Sequence, residues 1–177
     1  MRSEPGEGST FWFTTRFEKR PEDGRATPVS RAGLRDLRVL IVDDHETNRR
    51  ILHKQISSWG MRDGMAENGA EALELLRAAA ESGEAYDLAV LDMQMPDMDG
   101  IQLARAISAE PAISSTRLVL LTSIGININE TARMAGVEVV LNKPVRQSQL
   151  YDCLMLVLSG ARPGRAAFGE AAPPVAP

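Results

Sequence analysis

Five side chains in this sequence have the types and positions to do chemistry together: Asp43, Asp44, Asp92, Thr122 and Lys143. Each follows a short apolar run, namely VLIV at 39–42, LAVL at 88–91, LVLL at 118–121 and VEVVL at 137–141. Three carboxylates gathered in one place repel one another, which raises at least one pKa unless a cation compensates. The donors are hard oxygens, and neither His45 nor His53 has a partner at zinc-like spacing, so magnesium is the natural ion. Magnesium takes one or two carboxylates and fills its other positions with water and phosphate oxygens, which leaves a carboxylate free to attack a phosphoryl group. The Thr122 hydroxyl and the Lys143 ammonium suit the peripheral oxygens of a phosphoryl group in transfer. No GxxxxGK[ST] or GxGxxG phosphate cradle occurs in this block, which argues against a nucleotide donor bound here.

Positioning these groups requires a sheet. The four apolar runs are short and rich in leucine and β-branched residues, as parallel strands buried on both faces are. Gly60–Glu67 is a weaker strand candidate, suited to an edge. Between the runs the spacing turns helical: Leu52, Ile56 and Trp59; Ala72, Leu75, Leu76 and Ala79; Leu103, Ala104 and Ile107; and Leu150, Cys153, Leu154, Val157 and Leu158. Asn68-Gly69 breaks the chain before the second helix and Asp99-Gly100 opens the third. A βα unit repeated five times argues an α/β fold with a single parallel sheet and helices on both faces. Ligands of such sheets bind outside the carboxyl ends of the strands, and there the five residues stand. Taken singly, an acidic pair after a strand caps a helix, a threonine is a loop hydroxyl and a lysine is a solvated charge. Their delivery to one rim by four strands favours the functional reading. His45, His53 and the Arg49-Arg50 pair are read as helix-surface residues, and Cys153 as core.

The 177 residues leave room for one ordinary domain and loose ends, and 44% hydrophobic with 25% charged residues is a globular composition. Charge is unevenly spread: residues 38–159 hold 11 basic and 17 acidic side chains, which lacks the footprint of a nucleic-acid binder. A single cysteine, no leader-like start and no long apolar run point to a reducing, cytoplasmic setting without membrane contact. Residues 20–36 have the Pro, Gly and charge content of a linker, and the Pro/Ala-rich stretch 160–177 that of a disordered tail or linker. Four of the eight aromatics, Phe11, Trp12, Phe13 and Phe17, crowd into the head.

The run VLIVDDHETNRR, then YDLAVLDMQMPDMDG, LVLLTS and LNKPVRQSQLYDCL resembles the receiver domain of two-component response regulators over residues 37–159, and the closing segment resembles receivers of hybrid sensor histidine kinases. The resemblance implies a flavodoxin-like (βα)5 fold with strand order 2-1-3-4-5. It also implies that Asp92 is the phospho-acceptor, that Asp44 ligates magnesium directly and Asp43 through water, and that the backbone carbonyl of Gln94 is a further ligand. Thr122 becomes the switch hydroxyl and Lys143 the phosphate-binding lysine, with a cis Lys143-Pro144 peptide. Three residues before that lysine stands Val140 where many receivers carry an aromatic, so switching falls to Thr122 and residues 124–136.

A second resemblance covers residues 6–19: GEGSTFWFTTRFEK is similar to the last glycine box and final strand of a histidine kinase ATP-binding domain. It implies a remnant of that domain at 1–19, without the elements needed to hold ATP, in a piece of a larger hybrid kinase. The expected function is that of a phosphorelay receiver taking a phosphoryl group from a phosphohistidine with magnesium. Its only catalysis is its own phosphorylation and dephosphorylation. The expected partner is a kinase dimerisation/phosphotransfer domain or a histidine phosphotransfer protein. The alternatives are a pseudo-receiver that regulates the kinase by interaction alone and an aspartate-nucleophile phosphatase, the latter disfavoured by Gln94 where a second aspartate is needed.

Overall fold

In the computed structural model, residues 2–4, 8–10, 12, 14, 33–123 and 128–159 are described. Phe11, Phe13, Phe17, most of the expected linker, Ile124 and the tail 160–177 therefore lie outside the described residues. Near the start, β1 (Arg2–Glu4) pairs antiparallel with β2 (Gly8–Thr10), with Ser3 opposite Ser9.

The main sheet is parallel. Its strands are β3 (Arg38–Val42), β4 (Arg62–Ala66), β5 (Leu88–Asp92), β6 (Arg117–Thr122) and β7 (Val137–Asn142), in the spatial order β4-β3-β5-β6-β7. Numbered within this sheet the order is 2-1-3-4-5, as the resemblance implied. The helices are α1 (Glu46–Ser58), α2 (Gly69–Glu81), α3 (Gly100–Ala109), α4 (Asn129–Met134) and α5 (Gln147–Leu158).

Alternation along each strand sends side chains to two separate cores. Val39, Ile41, Leu88, Val90, Val119, Leu121, Val139 and Leu141 face α1 and α5, where Leu52, Ile56, Leu150, Cys153, Leu154 and Val157 meet them. Leu40, Val42, Ala89, Leu91, Leu118 and Leu120 face the other way, toward Ala72, Leu73 and Leu76 of α2, Leu103, Ala104 and Ile107 of α3, and Ala132 of α4. In α2 the buried stripe runs through Leu73, and Leu75 is only half-buried, because the helix is rotated slightly from the expected phase.

The helix starts follow their caps. The Asn68 side chain accepts from the backbone N–H of Glu71 at 2.9 Å, and Asp99 forms a capping box with Gln102 at 2.7 and 2.9 Å. The edge strand β4 is mostly exposed or half-buried up to Ala66, which explains its weak apolar signal.

At the end of the sheet opposite the rim, Leu34 is fully buried among Leu37, Trp59 and the residues of α5. The turn that carries it is held by Asp36, whose N–H donates to the Gly60 carbonyl at 3.0 Å and whose φ is 66°. Trp59 stands edge-on to Tyr151, with centroids 5.3 Å apart.

Candidate functional site

Register brings the rim together. Val42 lies opposite Leu91, Asp92 opposite Leu121, and Thr122 opposite Asn142. Asp43, Asp92, Thr122 and Lys143 therefore emerge within two residues of the same level across four strands. Backbone bonds tie the loops to that level: Met93 N–H donates to the Leu121 carbonyl and Lys143 N–H to the Thr122 carbonyl, each at 2.8 Å. The Lys143-Pro144 peptide is cis.

Asp43, Asp92 and Thr122 are buried, with 1%, 5% and 1% of their surface exposed. Lys143 reaches in from the β7–α5 loop, its Nζ 2.9 Å from Asp43 Oδ2 and 2.9 Å from Asp92 Oδ1. Burial pushes the Asp92 carboxyl above its ordinary value; the Lys143 ammonium opposes that shift and the Asp43 charge adds to it. Burial also works against the charged form of Lys143, but hydrogen bonds to Asp92 and Asp43 outweigh it and hold the ammonium above its ordinary pKa.

Asp43 is held more tightly than the acidic pair alone suggests. Its Oδ1 accepts from the His45 backbone N–H at 2.9 Å, and both its oxygens accept from the Asn48 amide at 3.1 Å. Its carbonyl accepts from Arg49 Nη1 at 2.6 Å. Asn48 was missed in the sequence and Arg49 was read there as a helix-surface residue; only the position of both in the first turns of α1 hinted that they could look back at the strand end. Arg49 belongs to this rear support, while Arg50 is exposed as the solvated-face reading expected.

Asp44 points outward and takes His45 Nδ1 at 2.8 Å. This contact, mainly its hydrogen bond and then its charge, raises the pKa of the exposed imidazole. His45 is the N-cap residue of α1, so the helix-surface reading placed it one step too far along. His53 does lie on the helix, where it joins α1 to the edge strand through Asp63 Oδ2 at 2.7 Å.

Gly100 controls the approach of α3. A Cβ there would lie 2.4 Å from the Asp92 carbonyl oxygen and 2.6 Å from Leu120 Cδ1, and its N–H donates to the Met93 carbonyl at 3.1 Å. Only glycine lets the helix start this close behind Asp92. Gln94 follows in the exposed part of the same loop.

Asp43 shares the Lys143 ammonium with Asp92 and lies close to Asp44, and these hard oxygens are a donor set that fits a small divalent cation. Among the described residues, the group of three side chains whose ligand atoms lie within 4.8 Å of one another is Asp43, Asp44 and His45. Asp92 stands outside that group, with Lys143 between it and Asp43.

The response regulator receiver domain family matches residues 39–155. The chain belongs to this family. The receiver resembles the virulence sensor protein BvgS of Bordetella bronchiseptica, at 33% identity over 158 residues, covering 82% of this chain and 12% of that protein. It also resembles the sensor histidine kinase AruS of Pseudomonas aeruginosa, at 30% identity over 157 residues, covering 87% of this chain and 15% of that protein. The chain thus spans less than a fifth of the length of these relatives. A solved receiver of a signal transduction histidine kinase from Syntrophus aciditrophicus superposes with a TM-score of 0.60 at 26% identity, covering 73% of this chain and 95% of that one. CheY4 of Vibrio cholerae gives 0.62 at 25%, covering 69% and 98%. The protein is a receiver domain of the kind found in hybrid sensor kinases of two-component signalling. Among the described residues, no helix is long and apolar enough to cross a membrane.

Proposed function

We propose that this receiver takes a phosphoryl group from a phosphohistidine onto Asp92 and loses it again by hydrolysis. The observation that carries the proposal is the convergence of Asp92, Asp43 and Lys143, with one ammonium 2.9 Å from both carboxylates. An Asp92 oxygen attacks phosphorus, a P–O bond forms and the P–N bond breaks. The departing imidazole nitrogen keeps the electron pair. In the reverse half, water attacks phosphorus and the Asp92 oxygen leaves as the carboxylate. Lys143 and the Thr122 hydroxyl would take the phosphoryl oxygens, and moving Lys143 from carboxylate to phosphoryl oxygen would give the loops after β6 and β7 a reason to shift. Magnesium, held by Asp43, Asp44, Asp92 and the Gln94 carbonyl, would neutralise charge on the transferred group.

A cleft of about 470 Å³ opens beside the rim between α1 and the β7–α5 loop, lined by Ile51, Leu52, Gln55, Pro144 and Val145 as well as Asp43 and Lys143. Half-exposed Ile51 and this apolar floor suit a partner helix presenting the donor histidine, on a kinase phosphotransfer domain or a separate phosphotransfer protein. The matches to BvgS and AruS extend beyond residues 39–155; on the sequence resemblance 1–19 would be a kinase ATP-binding remnant and 160–177 a tail, and the expected linker 20–36 would end before the buried Leu34. The chain would then be part of a hybrid kinase acting on the cytoplasmic side. Nothing in the site favours the pseudo-receiver alternative, since every group the chemistry needs is present.

Incubation with a small-molecule phosphodonor and magnesium tests the assignment. The wild-type chain should gain a phosphoryl group by intact-mass measurement and Asp92→Asn should gain none; uptake by the variant would sink the proposal.

A further inference from the structure

We propose that Met98 is an oxidation site through which hydrogen peroxide slows phosphoryl uptake at the rim. The proposal rests on the reading of Asp92 and Gln94 as parts of the phosphoryl site. Its own observation is the seat of the thioether: a Cβ built on Gly69 would lie 2.6 Å from Met98 Sδ, 3.1 Å from its Cγ and 3.2 Å from its Cβ. The sulfur thus rests on bare backbone at the first residue of α2, in space that a side chain at 69 would fill.

The loop between β5 and α3 yields most readily in its middle. At one end the Met93 N–H donates to the Leu121 carbonyl at 2.8 Å. At the other the Gly100 N–H returns to the Met93 carbonyl at 3.1 Å, and Asp99 is locked into its capping box with Gln102. Residues 94–98 are the span between those ties, and they include both Gln94 and Met98. A side chain that outgrows its seat at 98 therefore displaces Gln94 before it displaces α3.

Oxidation makes such a side chain. The sulfur lone pair attacks one oxygen of hydrogen peroxide, an S–O bond forms, the O–O bond breaks, and the departing hydroxide leaves as water with the proton of the transferred oxygen. The sulfur is oxidised by two electrons and the peroxide is reduced. A sulfoxide is larger and more polar than a thioether, so it fits poorly in an apolar seat against backbone. Met98 is half-buried and within reach of solvent, whereas Met61 and Met95 are only 5% and 9% exposed. The exposed Met65 and Met134 lie on β4 and α4, outside this loop. Met93 is also half-buried in the loop, and it is the control that separates the two sulfurs.

The full chain is treated with hydrogen peroxide, freed of excess oxidant, and followed by peptide mass, backbone amide NMR, and phosphoryl uptake from a small-molecule phosphodonor with magnesium. Met98 should gain one oxygen, the amides of Gly69 and residues 94–98 should shift, and uptake should slow about tenfold. Met98→Leu keeps an apolar side chain of similar volume on Gly69 and has no sulfur, so peroxide should change its uptake rate by less than about twofold. Met93→Leu and Met134→Leu should stay as sensitive as wild type. A Met98 spared while Met134 is oxidised, an oxidised Met98 with unshifted amides or unchanged uptake, or equal slowing in Met98→Leu overturns the proposal. Protection by Met93→Leu overturns it too. If the untreated chain takes up no phosphoryl group, the Asp92 reading fails on its own, and the peptide mass and amide shifts still decide whether Met98 is the oxidation site that moves this loop.

Discussion

At the residue scale the rim is a problem of charge held out of water. Asp43 and Asp92 are both nearly inaccessible, and the ammonium between them is the group that makes their coexistence tolerable. Replacing Lys143 by Met removes that compensation and leaves burial and Asp43 acting unopposed on Asp92. The Asp92 carboxyl should then titrate at higher pH than in wild type, as carbon NMR of the side chain can follow; an unchanged titration would mean that Lys143 contributes no field at Asp92. Cys153, buried in the core between α1 and α5, supplies a second test. Burial pushes its thiol up to about 12, so the native chain should resist alkylation at pH 8 and react once unfolded. The sign also fixes a pH trend: a thiol raised from 9.0 favours the folded state below that pH and withdraws the support as pH climbs toward 12.

At the element scale the tightest constraint is α3 against the end of β5. Gly100→Ala pushes a methyl into the Asp92 carbonyl and Leu120, which should cost about 1–3 kcal/mol by urea unfolding and displace Asp92 enough to slow phosphoryl uptake. Wild-type stability in that variant would show that α3 has room to retreat. Elements like this one were readable from sequence because local signals agreed: Asn68 and Asp99 cap as their types demand, and the apolar runs end where chemistry begins. The rim residues were readable for the same reason, since strand ends in a parallel sheet share one edge. Other parts were not. Whether Asn48 and Arg49 look toward Asp43 depends on the phase at which α1 leaves the strand, which residue spacing does not encode. The strand β4 carries Arg62, Asp63 and Gly64 in place of an apolar run because one side of it has no neighbour.

At the scale of the whole molecule the folded unit reaches further back than its family match. Leu34 sits in a stretch of Pro, Gly and charge where a lone leucine has no periodic partner to announce it, yet it is wholly enclosed against α5. A chain starting at Gly33 should unfold at the same urea concentration as the full chain, and Leu34→Ala should lose about 2–5 kcal/mol. Equal stability of Leu34→Ala and wild type would show that this turn is ornament to the fold. The same end of the sheet holds Trp59 against Tyr151, while the other tryptophan, Trp12, is 62% exposed. Because α1 carries Trp59 to the end of the sheet away from the rim, the chain contains a fluorophore whose surroundings change on global melting and do not include the rim residues. Emission can therefore be used to hold folding constant while cations, phosphodonors and substitutions are varied at the other end.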